Sequence, residues 1–163
     1  MFPEDILTLA AEVVAAANRR GVMVATAESC TGGLVAGALT AVAGSSAVVD
    51  RGFVTYSNAA KAGMIGVPAE MILANGAVSG AVARAMAQGA VAHSDAQLAV
   101  SITGIAGPGG GSVEKPVGLV HFAAHDGTGT VDVVRRFGDL GREGVRLASV
   151  RVALGLLLEK LTA

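Results

Sequence analysis

Residues 22–33 read VMVATAESCTGG, and how this stretch is read decides the fold. Val22-Met23-Val24-Ala25-Thr26 is too short and too apolar for a surface helix, so it predicts a buried strand feeding a turn at Glu28 and Ser29. A helix is expected to follow, from Thr31 to about Val42. Upstream, Ile6, Leu7, Leu9, Ala10, Val13, Val14 and Ala17 recur at three- and four-residue spacing before Gly21, which predicts an amphipathic helix over 4–20 with a glycine stop. Downstream the alternation continues. Strands are expected at 48–57 and 95–103, with a helix capped by Ser79 between them at 79–93. Strands at 117–125 and 130–137 flank Asp126-Gly127-Thr128-Gly129, a composition that suits a hairpin turn. A last helix is expected over about 142–161. Interleaved strands and helices with one antiparallel hairpin give an α/β class: one three-layer α/β/α domain over 1–163 with a mixed β-sheet.

The 163 residues match the size of a single domain. Hydrophobic residues make up 52% of the chain and charged residues 15%, and the mean hydropathy is +0.60, so the chain has ample material for a core and is not disordered. Twelve Lys and Arg against 13 Asp and Glu leave a net charge of -1. No bulk positive field is available for nucleic acid, whereas a small phosphorylated ligand stays open. The single cysteine, Cys30, forms no internal disulfide, and the N-terminus lacks a signal-peptide pattern, so a cytoplasmic location is expected. Residues 29–49 run 21 positions without charge, but nine are Gly, Ser or Thr and only six are large aliphatics. No membrane association is expected.

Four constellations carry possible chemistry. Glu28 to Gly33 lies where a strand meets a helix start, where a Ser29 hydroxyl would stand beside backbone N–H groups that favour anions. The plainer reading makes Ser29 and Thr31 helix caps, and the flanking residues do not form a G-x-S-x-G elbow. Cys30 competes as nucleophile if the helix start lowers its pKa. In Tyr56-Ser57-Asn58-Ala59-Ala60-Lys61, the lysine would serve a serine as base in an apolar pocket, or else lie on the surface. Thr103-Gly104 opens a glycine-rich loop that fits neither the Walker A nor the dinucleotide pattern, which argues against an ATPase or a nicotinamide-dinucleotide oxidoreductase. Arg142 and Arg146, four apart at the start of the last helix, would clamp a phosphate or form a solvated face. His121 and His125 would sit ~13 Å apart on one strand, too far to share a metal ion, so neither a metal nor a cofactor is expected.

Taken together, ATAESCTGG at 25–33, GFVTYSNAAKAGMIGV at 52–67, NGAVS at 75–79, TGIAGPGGG at 103–111 and KPVG at 115–118 resemble the CinA C-terminal domain family in its stand-alone form. Members are nicotinamide-nucleotide amidases, so the resemblance implies deamidation of nicotinamide mononucleotide to nicotinate mononucleotide and ammonia. It implies Ser29 as nucleophile, Lys61 and Tyr56 as its activators and proton carriers, and Thr31, Gly32, Asn58, Thr103 and Gly104 as substrate-binding residues. Arg142 and Arg146 match the family's G-D-R-x-x-V-R region, except that Leu140-Gly141 separates Asp139 from Arg142. Arg146, farther from that insertion, is the preferred phosphate contact. A homo-oligomer is expected, with a dimer favoured. The rivals are a non-catalytic nucleotide-binding module and a competence-related interaction protein.

Overall fold

A computed structural model describes residues Met1–Ala163. Five strands, β1 (Val24–Glu28), β2 (Val49–Val54), β3 (Leu98–Gly104), β4 (Leu119–Asp126) and β5 (Gly129–Arg136), form one mixed sheet in the order β2-β1-β3-β4-β5. β1 runs parallel to β2 and β3, while β4 and β5 are antiparallel additions. The helices are α1 (Glu4–Arg20), α2 (Leu34–Thr40), α3 (Asn58–Ile65), α4 (Ala69–Asn75), α5 (Gly80–Ala92) and α6 (Gly141–Thr162). No helix is long and apolar enough to cross a membrane.

Side chains alternate across a strand, and the two sheet faces are dressed differently. On one face Val100, Ile102, Val120 and Phe122 pack with Ile6 and Val13 of α1, Leu39 of α2, and Leu154 and Leu157 of α6. On the other, the central strands offer small residues, Ala25, Ala27 and Ala99, with Phe53 of β2 beside them, against Ile65 of α3, Ile72 of α4, and Val82 and Met86 of α5. That flat surface lets α5 sit close enough for Ser101 to donate to the carbonyl of Ala83. α5 also meets α3 at Gly89, where a Cβ would collide with the carbonyl oxygen of Ile65.

Glu28 pairs with both Val54 and Ile102, so β1 and β2 end level with one another and β3 runs two residues further, to Gly104. The turns that follow them therefore emerge side by side at one sheet edge, where open α/β sheets place their ligands.

The expected elements are present with shifted ends. β1 runs to Glu28 and puts that residue inside the strand. β2 stops at Val54, leaving Thr55–Ser57 as a turn. α2 begins at Leu34, three residues later than expected, because Gly32 (φ 55°) and Gly33 (φ 100°) take the left-handed conformation and finish a turn first. α3 and α4 lie in a region the pattern left unassigned.

Candidate active site

Three consecutive turns and one helix start build a cavity of about 280 Å³ at the strand ends. Its walls include Ser29 and Cys30 after β1, Tyr56, Asn58 and Lys61 after β2, Thr103 to Gly107 after β3, Ala77 and Val78 before α5, and Arg142 of α6. The volume lies at the small end of the range for small-molecule sites, about 300 Å³ upward.

Lys61 is the pivot. Asn58 opens α3 because the Ser57 hydroxyl caps it, accepting from the Ala60 N–H, and one turn later Lys61 points inward with 1% exposure. Its Nζ lies 3.0 Å from Ser29 Oγ, and it donates to the carbonyls of Thr55 at 3.0 Å and Tyr56 at 3.5 Å. None of the protein's ion pairs includes it. Burial therefore lowers its pKa below the usual 10.5. A Cys30 thiolate would oppose this shift, but burial pushes that thiol up to about 11, so near neutral pH it carries no charge. The same shift argues against Cys30, the competing nucleophile. Cys30→Ala is expected to keep turnover within about threefold of wild type, because a buried thiol of high pKa is inert. Loss of turnover in a folded Cys30→Ala protein would move the nucleophile one residue along.

Tyr56 enters differently from the expected role. Its backbone carbonyl accepts from Lys61 and, at 3.5 Å, from Ser29. Its ring is 60% exposed, and its hydroxyl accepts from Arg142 Nη2 at 3.2 Å. Thr103 is buried on the wall and donates from its hydroxyl to the carbonyl of Ala77 at 2.8 Å, tying the approach to α5 to the end of β3. Gly104 lies where a Cβ would crowd Val120 and the Leu119 carbonyl. Asn58 stands between this cavity and an apolar groove formed by Ala59, Ala62, Ala69, Ile72 and Leu73.

Three expected ligand contacts lie elsewhere. The Thr31 hydroxyl donates to Glu28 at 2.7 Å, and neither Thr31 nor Gly32 lines the cavity. The two arginines separate, since four residues along a helix is about 6 Å of rise. Arg142 sits on the cavity wall and donates to the Gly107 carbonyl at 2.8 Å. Arg146 turns away to the carbonyls of Cys30 at 3.1 Å and Thr31 at 3.2 Å. The geometry thus favours Arg142, and not Arg146, as the cation available to a ligand.

Sequence reading missed Glu28. It is completely buried, and its carboxylate accepts from the N–H groups of Val35 at 2.9 Å and Ala36 at 3.0 Å. The start of α2, expected to attract a bound anion, is already occupied by the protein's own. The donors not taken by carbonyls are in the turn, where the Cys30 N–H donates to no backbone carbonyl.

Comparison with known proteins gives a consistent assignment. Residues 6–161 match the CinA C-terminal domain. The chain is 55% identical over 146 residues to a CinA-like protein of Anaeromyxobacter dehalogenans, covering 89% of this chain but 35% of that protein. It thus spans about a third of the length of such longer relatives. It is 48% identical to the nicotinamide-nucleotide amidohydrolase PncC of Escherichia coli, with 98% of this chain and 97% of that protein covered. The fold superposes on the competence/damage inducible protein CihA of Agrobacterium tumefaciens with a TM-score of 0.97 and 55% identity, covering 100% of this chain and 99% of that one. A match over nearly the whole chain, joined to a mixed five-stranded sheet shared with solved relatives, places the protein in the CinA C-terminal domain family.

Proposed function

We propose that the protein hydrolyses the carboxamide of nicotinamide mononucleotide, releasing nicotinate mononucleotide and ammonia. The observation that carries this reading is a buried lysine without a carboxylate partner, 3.0 Å from a serine hydroxyl on a cavity wall. A binding module has no use for such a lysine. Its desolvation costs stability, and the same burial favours the neutral amine beside the Ser29 hydroxyl.

Ser29 Oγ attacks the amide carbon while its proton passes to Lys61 Nζ. The carbonyl oxygen becomes an oxyanion, and the Cys30 N–H, which donates to no backbone carbonyl, lies in the position after the nucleophile that supplies a donor in other serine hydrolases. Collapse of the tetrahedral intermediate breaks the C–N bond, and Lys61 returns the proton to the departing ammonia. Water then attacks the acyl-serine by the same route in reverse, giving the carboxylate. Tyr56 contributes to Ser29 and Lys61 through its carbonyl, while its hydroxyl joins Arg142 at the cavity mouth. No step calls for a metal or a cofactor.

Arg142 holds the phosphate in this reading. Two of its N–H groups are engaged within the protein, which orients the guanidinium and leaves others for the ligand. Charge-assisted contacts are worth roughly 1.5 to 3 kcal/mol, so nicotinamide riboside is expected to lose on the order of 10- to 100-fold in kcat/KM against the mononucleotide. Arg142→Ala should shrink that ratio toward one, read from initial rates of ammonia release on both substrates. An equal loss on both would assign the phosphate to another group. The same reading includes a homo-oligomer, with a dimer favoured. It is supported by exposed apolar side chains such as Leu73 and Val113, and sedimentation of the whole chain tests it.

A further inference from the structure

We infer that Glu28 is a positioning residue for the nucleophile turn, an inference that rests on the serine-hydrolase reading above. Four groups converge on its carboxylate. The Thr31 hydroxyl at 2.7 Å and the Val35 N–H at 2.9 Å meet Oε1, while the Ala36 N–H at 3.0 Å and the Thr26 hydroxyl at 3.2 Å meet Oε2. Every partner acts as a donor, so both oxygens serve only as acceptors. No cation shares the site, because none of the protein's ion pairs includes Glu28.

The carboxylate does not line the cavity and forms no hydrogen bond with Ser29 or Lys61. Its effect passes through the backbone. It ties the end of β1 to the first turn of α2 across the five-residue loop 29–33, while Arg146 grips the carbonyls of Cys30 and Thr31 from α6. Ser29 and the Cys30 N–H lie between these two anchors. Their direction relative to Lys61 is set by groups that never meet the substrate.

Glu28→Gln preserves shape but gives the site one acceptor oxygen and an NH2 that must face donors. A turn displaced by about 1 Å loses on the order of 100-fold, and the loss is expected in kcat for nicotinamide mononucleotide, with KM within about threefold. The rate at which phenylmethanesulfonyl fluoride modifies Ser29, followed by mass spectrometry, should fall in parallel. Thr31→Val removes one anchor and is expected to cost roughly 10-fold in kcat, and Thr31→Ser, which restores the hydroxyl, should recover most of it. Wild-type kcat in Glu28→Gln, a loss confined to KM, or unchanged Ser29 modification overturns the inference. Equal kcat for Thr31→Val and Thr31→Ser does so as well, and decides the matter if Glu28→Gln does not fold. Ser29 modification that depends on Glu28 in a protein that releases no ammonia would sink the amidase reading and uphold the positioning role.

Discussion

Ser29→Ala is expected to fold as the wild type does and to lose on the order of 10³-fold or more in ammonia release. The side chain is small, and its Oγ contacts only Lys61 Nζ and the Tyr56 carbonyl, so removing it leaves no large void. Lys61 keeps the Thr55 carbonyl as a partner. What disappears is the proposed covalent route, since no other hydroxyl hydrogen-bonds the Lys61 amine. An unassisted water would then have to attack a resonance-stabilised amide. Circular dichroism and a thermal melt establish the fold, and turnover near wild type in the folded variant would end the covalent mechanism.

Lys61→Met is expected to abolish turnover to a similar extent while raising the melting temperature. A methionine fills much of the same apolar space without an ammonium to desolvate. The sign follows from linkage. With the folded pKa below 10.5, the unfolded chain binds more protons than the folded one between those two values, so wild-type stability rises with pH across that window. The Met variant should lack that slope. The same depressed pKa sets the activity profile: kcat/KM should climb with pH as Lys61 loses its proton and level off before the pH reaches 10.5. Lys61→Arg keeps the charge and should stay inactive throughout. A Lys61→Met protein that is both less stable and still active would reduce the lysine to a structural strut.

Much of this architecture was legible because burial writes a period into the sequence. α1 and α6 show their stripes, the hairpin shows its Asp-Gly turn, and Ser79 announces α5 by a cap that accepts the Val82 N–H. α3 and α4 escaped because helices of 8 and 7 residues have too few turns to display a period. Their ends were nevertheless marked, by Ser57 at the start of α3 and by Gly66, with φ 70°, at its finish. At the site, residue type pointed to Ser29 and Lys61, but only the level ends of β1 and β2 bring them within 3.0 Å. Equal spacing groups the arginines in the sequence, but Arg142 and Arg146 meet different neighbours, because the wall beside that helix face changes within one turn. Glu28 was hidden for a related reason. The predicted strand stopped at Thr26 and left Glu28 in the turn, whereas β1 runs two residues further and carries its side chain into the interior.

The contact of Gly89 with the Ile65 carbonyl has a genetic consequence. Ile65 lies one turn beyond Lys61 on α3, so a methyl group added at Gly89 pushes on the helix that carries the base of the proposed mechanism. A screen for null alleles should therefore return Gly89→Ala among its hits, although position 89 is not part of the cavity wall. Second-site suppressors of that allele should map to α3, α4 and the loop between them, the segments that must shift to relieve the clash, and a suppressed variant would recover ammonia release without any change at Ser29 or Lys61.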